Sequence, residues 1–138
     1  MIAVAAICVL VMLGGFYFLV STACINEPLQ EISSPAGLLR IVVFQRDCGA
    51  TTGFSTQASL LSAGQSLSDR GGNLFVADTN HGAAPSGSHG GPIVEVVWLD
   101  AAHLRLTHHP RARVFLAVPE VGGVRAEFVG AVDQQNRR

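Results

Sequence analysis

The chain has 138 residues, with nine arginines, no lysine and ten acidic side chains, for a net charge of −1. No basic stripe or block of like charge exists, which argues against a nucleic-acid partner. No established metal or cofactor motif occurs, so no cofactor is expected, and the length beyond the first 24 residues suits one domain with a modest core.

The chain opens on an unbroken apolar run, Met1 to Val20, and the first charged side chain is Glu27. A helix of about 20 residues rises about 30 Å, the thickness of a bilayer's hydrocarbon core. A buried core helix would carry a polar stripe, and this run has none. Three fates fit: an uncleaved single-span anchor, a lipoprotein signal cut before Cys24, or a secretory signal cut after Ala23. Ser21 stands where a lipobox has leucine, and no Lys or Arg precedes the run, which favours the anchor. Beyond the run, Arg40 stands against Glu27 and Glu31, and that scarcity of cations places the far side outward. The expected organisation is an anchor or signal segment at 1–24, an exported domain at 25–129 and a polar, frayed tail at 130–138. Its place would be a bacterial inner membrane, facing the periplasm or cell exterior.

From residue 27 the pattern is period-2 with frequent turn residues. Leu29–Ser33 reads as a short strand and Ser34-Pro35-Ala36-Gly37 as a tight turn. Leu38–Arg46 is the strongest strand, β-branched and aromatic at its centre. Gln57–Leu61 follows, then a polar loop at Ser62–Gly72 and a strand at Asn73–Asp78. Thr79–Gly91, rich in Gly and Ser, is expected to be exposed and mobile. Ile93–Leu99 and Leu104–His108 predict a hairpin with a four-residue connection, Asp100–His103. Arg113–Val118 and Val124–Val129 predict a second hairpin around Pro119–Gly123. Seven or eight such strands imply an all-β fold, an antiparallel sandwich or small barrel.

The stretch Arg46-Asp-Cys-Gly-Ala-Thr-Thr-Gly-Phe-Ser-Thr-Gln57 resembles the signature of a family of small bacterial membrane-anchored or lipoprotein-like proteins. Asn73–Asp78, Val96–Leu99 and the basic segment His109–Arg113 fit the same pattern, over roughly residues 28 to 129. The chain departs at Ala36, where the family has Asp. The resemblance implies an N-terminal membrane segment and brings no activity, substrate or cofactor.

Cys8 lies inside the apolar run and reads as a small hydrophobe. Cys24 and Cys48 form an even pair in an exported domain, which suggests a disulfide. The strand after the Pro35–Gly37 turn can return Cys48 to the level of Cys24. If Cys24 carries lipid instead, Cys48 is left free. A catalytic Cys48 would need a neighbouring base, and no local pattern places a histidine beside it.

Arg46 and Asp47 could form an ion pair that pins their loop. The run of hydroxyls at Thr51, Thr52, Ser55 and Thr56 could cap the turn or help bind an anion, although the glycine and lysine spacing of a phosphate loop is missing. Asp78, His81 and His89 border the long loop and could supply metal ligands, against the alternative of a solvated loop. Trp98 and Phe115 are core residues or, if outward, a partner surface. His108 to Arg113 forms a basic hairpin end, more so below about pH 6.5, where histidine ordinarily protonates. The function these features favour is a membrane-tethered, exported β-module that binds or serves an envelope assembly, with the membrane and an envelope or membrane protein as partners. The alternative is a small exported hydrolase or metalloenzyme using Cys48 or Asp78, His81 and His89.

Overall fold

The computed structural model describes residues 2–20, 24–49 and 52–131. Helix α1 (Ile2–Val20) has 19 residues and no charged side chain. Along residues 4–14 every side chain is exposed, Leu10 to 69% and Met12 to 77%, so nothing described in the domain covers its apolar surface. Counted over the described residues alone, no helix is long and apolar enough to cross a membrane, so the expected transmembrane span is not established by the structure.

Nine strands follow among the described residues: β1 (Ile25–Ser33), β2 (Leu39–Asp47), β3 (Ser55–Ser62), β4 (Phe75–Asp78), β5 (Val94–Asp100), β6 (His103–His108), β7 (Arg113–Ala117), β8 (Glu120–Val121) and β9 (Val124–Gly130). They form a five-stranded sheet ordered β1-β2-β3-β4-β7 and a four-stranded sheet ordered β5-β6-β9-β8. The all-β expectation holds. One shared core of inward side chains, including Ile41, Phe75, Leu104, Leu106 and Val124, joins the two sheets as a sandwich. Trp98 reaches across from β5, donating its indole Nε1–H to the Ile32 carbonyl of β1 at 3.2 Å.

β2 is buried continuously from Ile41 to Gln45. A strand covered on one face would alternate; this one is covered on both. Ile41 and Val43 enter the main core, while Val42 and Phe44 join Leu61 in a second cluster on the outer face. Leu67, from the loop between β3 and β4, closes that cluster. The loop is tied down by Asn26, whose side-chain amide donates to the Ser68 and Arg70 carbonyls at 2.7 Å each. It is held further by Arg40, which donates to the Gln65 carbonyl at 2.6 Å. The outer edge, β1, carries Pro28, a bulge and two glutamates, features that discourage edge pairing.

Three expectations are corrected. The sandwich is not wholly antiparallel, because β6 and β9 pair in parallel. The second expected hairpin does not form: β7 pairs with β4 in the first sheet, and β9 with β6 and β8 in the other. Val118 N–H still bonds the Leu74 carbonyl, but Pro119 has no N–H to extend that ladder, and the chain crosses to the second sheet there. The reversal then falls on Gly122 and Gly123, whose φ values of 56° and 77° make the tight β8–β9 turn opposite Val121 and Val124. The first hairpin forms, but only Ala101 and Ala102 separate its paired ends, because Asp100 and His103 already lie in register. Asp100 Oδ1 caps that turn by accepting from Ala102 N–H at 2.7 Å.

The Thr79–Gly91 segment is also more structured than its composition suggests. Ala84 N–H bonds the Thr79 carbonyl at 2.9 Å, and Gly87 N–H bonds the Gly91 carbonyl at 2.8 Å. Ser86 and Pro92 form an isolated bridge, and Ala84 is fully enclosed at 1% exposure.

Candidate functional site

The outer face of the five-stranded sheet is covered at one end and open at the other. The β3–β4 loop covers the end at Val42, Phe44 and Leu61. Toward the Cys48 end, alternation on β2, β3 and β4 presents Arg46, Ser55, Gln57, Val76 and Asp78 on that same face. These side chains, with Arg113 and Phe115 of β7, floor an open pocket of about 430 Å³. Cys48, Thr52 and His81 stand at its wall.

Asp78 and Arg113 face each other across β4 and β7. Both Nε and Nη2 of the guanidinium donate to the carboxylate, the Nε bond measuring 3.2 Å. Asn80 N–H donates to Asp78 Oδ1 at 2.8 Å. Partial burial pushes the Asp78 carboxyl up. The Arg113 hydrogen bond, the Asn80 amide and the charges of Arg113 and His81 outweigh that burial and hold it below the ordinary carboxylate value. The same hydrogen bond holds the Arg113 guanidinium still more firmly protonated. Its Cζ lies 4.9 Å from the centre of the Phe115 ring, a cation–π contact.

Two local irregularities shape this pocket. The β4–β7 register slips between Val76 and Ala77, leaving Phe115 as the extra residue of a bulge. The ring is accordingly 59% exposed over the pocket floor. On the other side, Asn80, His81 and Gly82 have consecutive positive φ values of 51°, 55° and 84°. A histidine in that region is unfavourable by itself, and the surrounding turn imposes it. The cost places the imidazole at the pocket wall.

Arg46 has a different set of partners from the one expected. It makes no ion pair with Asp47. Its Nη1 donates to Asn26 Oδ1 at 2.8 Å and to the Asp69 carbonyl at 2.7 Å, which locks the β3–β4 loop. Asp47 instead caps the following turn, accepting from Gly49 N–H at 2.9 Å. Thr52 closes the turn from the other side, its N–H and hydroxyl both directed at the Gly49 carbonyl. Thr51 lies outside the described residues.

Cys48 is joined to Cys24 by a disulfide, with Cα atoms 4.0 Å apart. Its sulfur is therefore not a free thiol, and the nucleophile considered for the hydrolase alternative is lost. Asp78 and His81 share the pocket, but His89 does not. It lines a separate cleft of about 320 Å³ at the mouth of the sandwich, beside Leu29, Thr56 and Pro92. There its Nδ1 is 4.0 Å from Glu27 Oε1. Among the described residues no three His, Cys, Asp or Glu side chains form a metal-binding group. The three remaining histidines serve other contacts: His103 Nδ1 meets Asp100 Oδ2 at 2.7 Å, His108 packs 5.4 Å from the Phe75 ring, and His109 Nδ1 accepts from Arg111 N–H at 3.2 Å. The two aromatics divide, Trp98 packing on the core and Phe115 facing out.

The hydroxyl run after Cys48 brings Ser55 and Thr52 to the pocket, while sequence reasoning missed Gln57 and the part played by Arg113. The signal was present in β3, where Ser55, Gln57 and Ser59 alternate with Thr56, Ala58 and Leu60. Gln57 Oε1 is consumed structurally, accepting from Gly72 N–H at 2.7 Å. Compared with family models, curated proteins and solved structures, the chain matches none.

Proposed function

We propose that this protein is a membrane-tethered, exported β-sandwich that acts by binding through the open end of its outer sheet face, without catalysis of its own. The carrying observation is the pocket itself: two arginines, one exposed aromatic ring and several hydroxyl and amide groups converge there, while among the described residues its hydroxyls bond elsewhere, Thr52 to the Gly49 carbonyl and Ser55 to the Gln57 amide. Its volume is of the size that small-ligand sites ordinarily have. The Cys24–Cys48 bridge supports an oxidising compartment. The uncovered apolar surface of α1 along residues 4–14 and the helix's length of 19 residues support a single-span anchor in a bacterial inner membrane, with the domain facing outward. The Arg46–Gln57 signature supports membership of the small membrane-anchored family it resembles. An envelope or membrane protein is the expected macromolecular partner. Purification of the full chain from membranes in mild detergent tests this reading. Recovery with a stoichiometric envelope component supports it, whereas recovery of a lone chain that turns over a small substrate contradicts it.

The bridge takes up the Cys48 thiol, and His89 stands apart from Asp78 and His81, so the groups that carried the hydrolase and metalloenzyme alternatives do not come together among the described residues.

A further inference from the structure

We infer that the outer-sheet pocket holds the phosphate of an anionic membrane lipid headgroup. The inference rests on the anchor reading above and names the ligand of the same pocket.

Charge is the first argument. Arg40, Arg105 and Arg113 are each ion-paired to a carboxylate. Arg46 is half-buried, and among the described residues it donates only to neutral acceptors, the Asn26 amide and the Asp69 carbonyl. The pocket's carboxylate, Asp78, is already committed to Arg113. The pocket therefore carries one full positive charge in excess, set in a concavity where the surrounding protein reduces screening. Arginine presents planar donors that suit phosphate oxygens, and Nη1 is the only guanidinium atom of Arg46 engaged in these hydrogen bonds. The hydroxyls of Thr52 and Ser55 line the same space.

Position is the second argument. Four residue steps separate Val20, the end of α1, from Cys24. Even fully extended they span only about 14 Å. Cys24 is bridged to Cys48, whose Cα is 4.0 Å away, and Cys48 is part of the pocket wall. If α1 is the anchor, this covalent leash keeps the pocket wall within about 18 Å of the membrane exit, whatever the domain's orientation. That is headgroup territory. The apolar floor, Val76 and the exposed Phe115 ring, suits the glycerol and upper acyl carbons that accompany such a phosphate.

The test uses the full chain, isotope-labelled, in nanodiscs of phosphatidylcholine with or without phosphatidylglycerol. Amide shifts at Ser55, Gln57, His81 and Phe115 on inclusion of phosphatidylglycerol are the expected result. Free glycerol 3-phosphate, titrated onto the chain in phosphatidylcholine discs, should move the same signals. Arg46→Gln should weaken that titration by about tenfold, the loss of one charge-assisted contact. Because Arg46 also locks a loop, His81→Asn is measured beside it; asparagine tolerates the left-handed backbone, so the fold is kept while the wall is changed. Shifts with glycerol phosphate but none with phosphatidylglycerol would overturn the lipid source and leave a soluble phosphate. No shift with either would overturn the phosphate site altogether. Release of the chain from membranes by alkaline carbonate would defeat the anchor reading and with it the lipid assignment, while the glycerol phosphate titration would still decide the anion site.

Discussion

Cys24 and Cys48 occupy the position next to the register pair Ile25 and Asp47, so their disulfide closes the β1–β2 hairpin at its open end. Adjacent antiparallel strands bring facing Cα atoms to about 4.5 Å at such positions, so the hairpin itself delivers the two sulfurs to each other. Cross-linking residues 24 apart in sequence should contribute about 3 kcal/mol. Cys24→Ser and Cys48→Ser should therefore each cost about 2–5 kcal/mol in chemical denaturation, and the double variant little more than either. Losses that add would show the two sulfurs acting separately.

Trp98 is the single tryptophan, and its Nε1–H bond to Ile32 joins β5 to the edge of the other sheet. Trp98→Phe keeps most of the packing and loses that bond, and should cost about 1 kcal/mol. The wild-type fluorescence should shift to the red in the same denaturant range in which the circular dichroism of the sheets is lost. A fluorescence change well ahead of the sheet signal would mean that the contact is not part of the cooperative fold.

The depressed Asp78 carboxyl fixes the sign of one pH effect. Its folded pKa lies below the unfolded value, so its contribution to stability is present above about pH 4 and is lost as pH falls through the folded value. The wild type should lose stability on acidification in that range, and Asp78→Asn should flatten part of the loss. Thermal melts between neutral and acid pH measure it; an unchanged acid limb in Asp78→Asn would assign the effect to other carboxylates.

Gly91 packs directly on the start of β3. A Cβ there would lie 2.4 Å from Thr56 Oγ1 and 2.9 Å from Thr56 N, and the second contact is backbone that cannot swing aside. The hydroxyl is also fixed, donating to the Pro92 carbonyl at 2.6 Å. Gly91→Ala should destabilise the domain by about 1–3 kcal/mol through overpacking. Differential scanning calorimetry reads the effect, and a melt at the wild-type temperature would show that the loop moves away at no cost.

Local chemistry made the all-β class and most strand positions legible in the sequence. β2 was plain in its β-branched centre, and the Ser34–Gly37 turn forms as expected, with Gly37 N–H bonded to the Ser34 carbonyl at 2.8 Å. The Cys24–Cys48 pair followed from strand direction. What stayed hidden was long-range pairing. Arg113–Ala117 and Val124–Gly130 look like hairpin partners in sequence, but one crosses to β4 and the other to β6. Nothing local distinguishes those outcomes except Pro119 and the two glycines that follow Val121. The pocket was legible only in pieces. The sequence offers Arg46 with Thr52 as one group and Asp78 with His81 as another, and the sheet pairing joins the two groups and brings Arg113 and Phe115 to them. His89 was grouped with Asp78 by nearness in sequence, and the turns between residues 79 and 91 carry it to the other cleft.

The bridged β-domain is proposed to be held to a membrane by its own N-terminal helix. Non-reducing intact mass spectrometry of protein extracted from native membranes tests bridge and anchor together. The predicted mass includes residues 1–23 and is lower by the two hydrogens of the Cys24–Cys48 disulfide. A mass beginning at Cys24, with or without diacylglycerol, would contradict the anchor, and an uncleaved mass with both thiols reduced would contradict the exported, bridged domain.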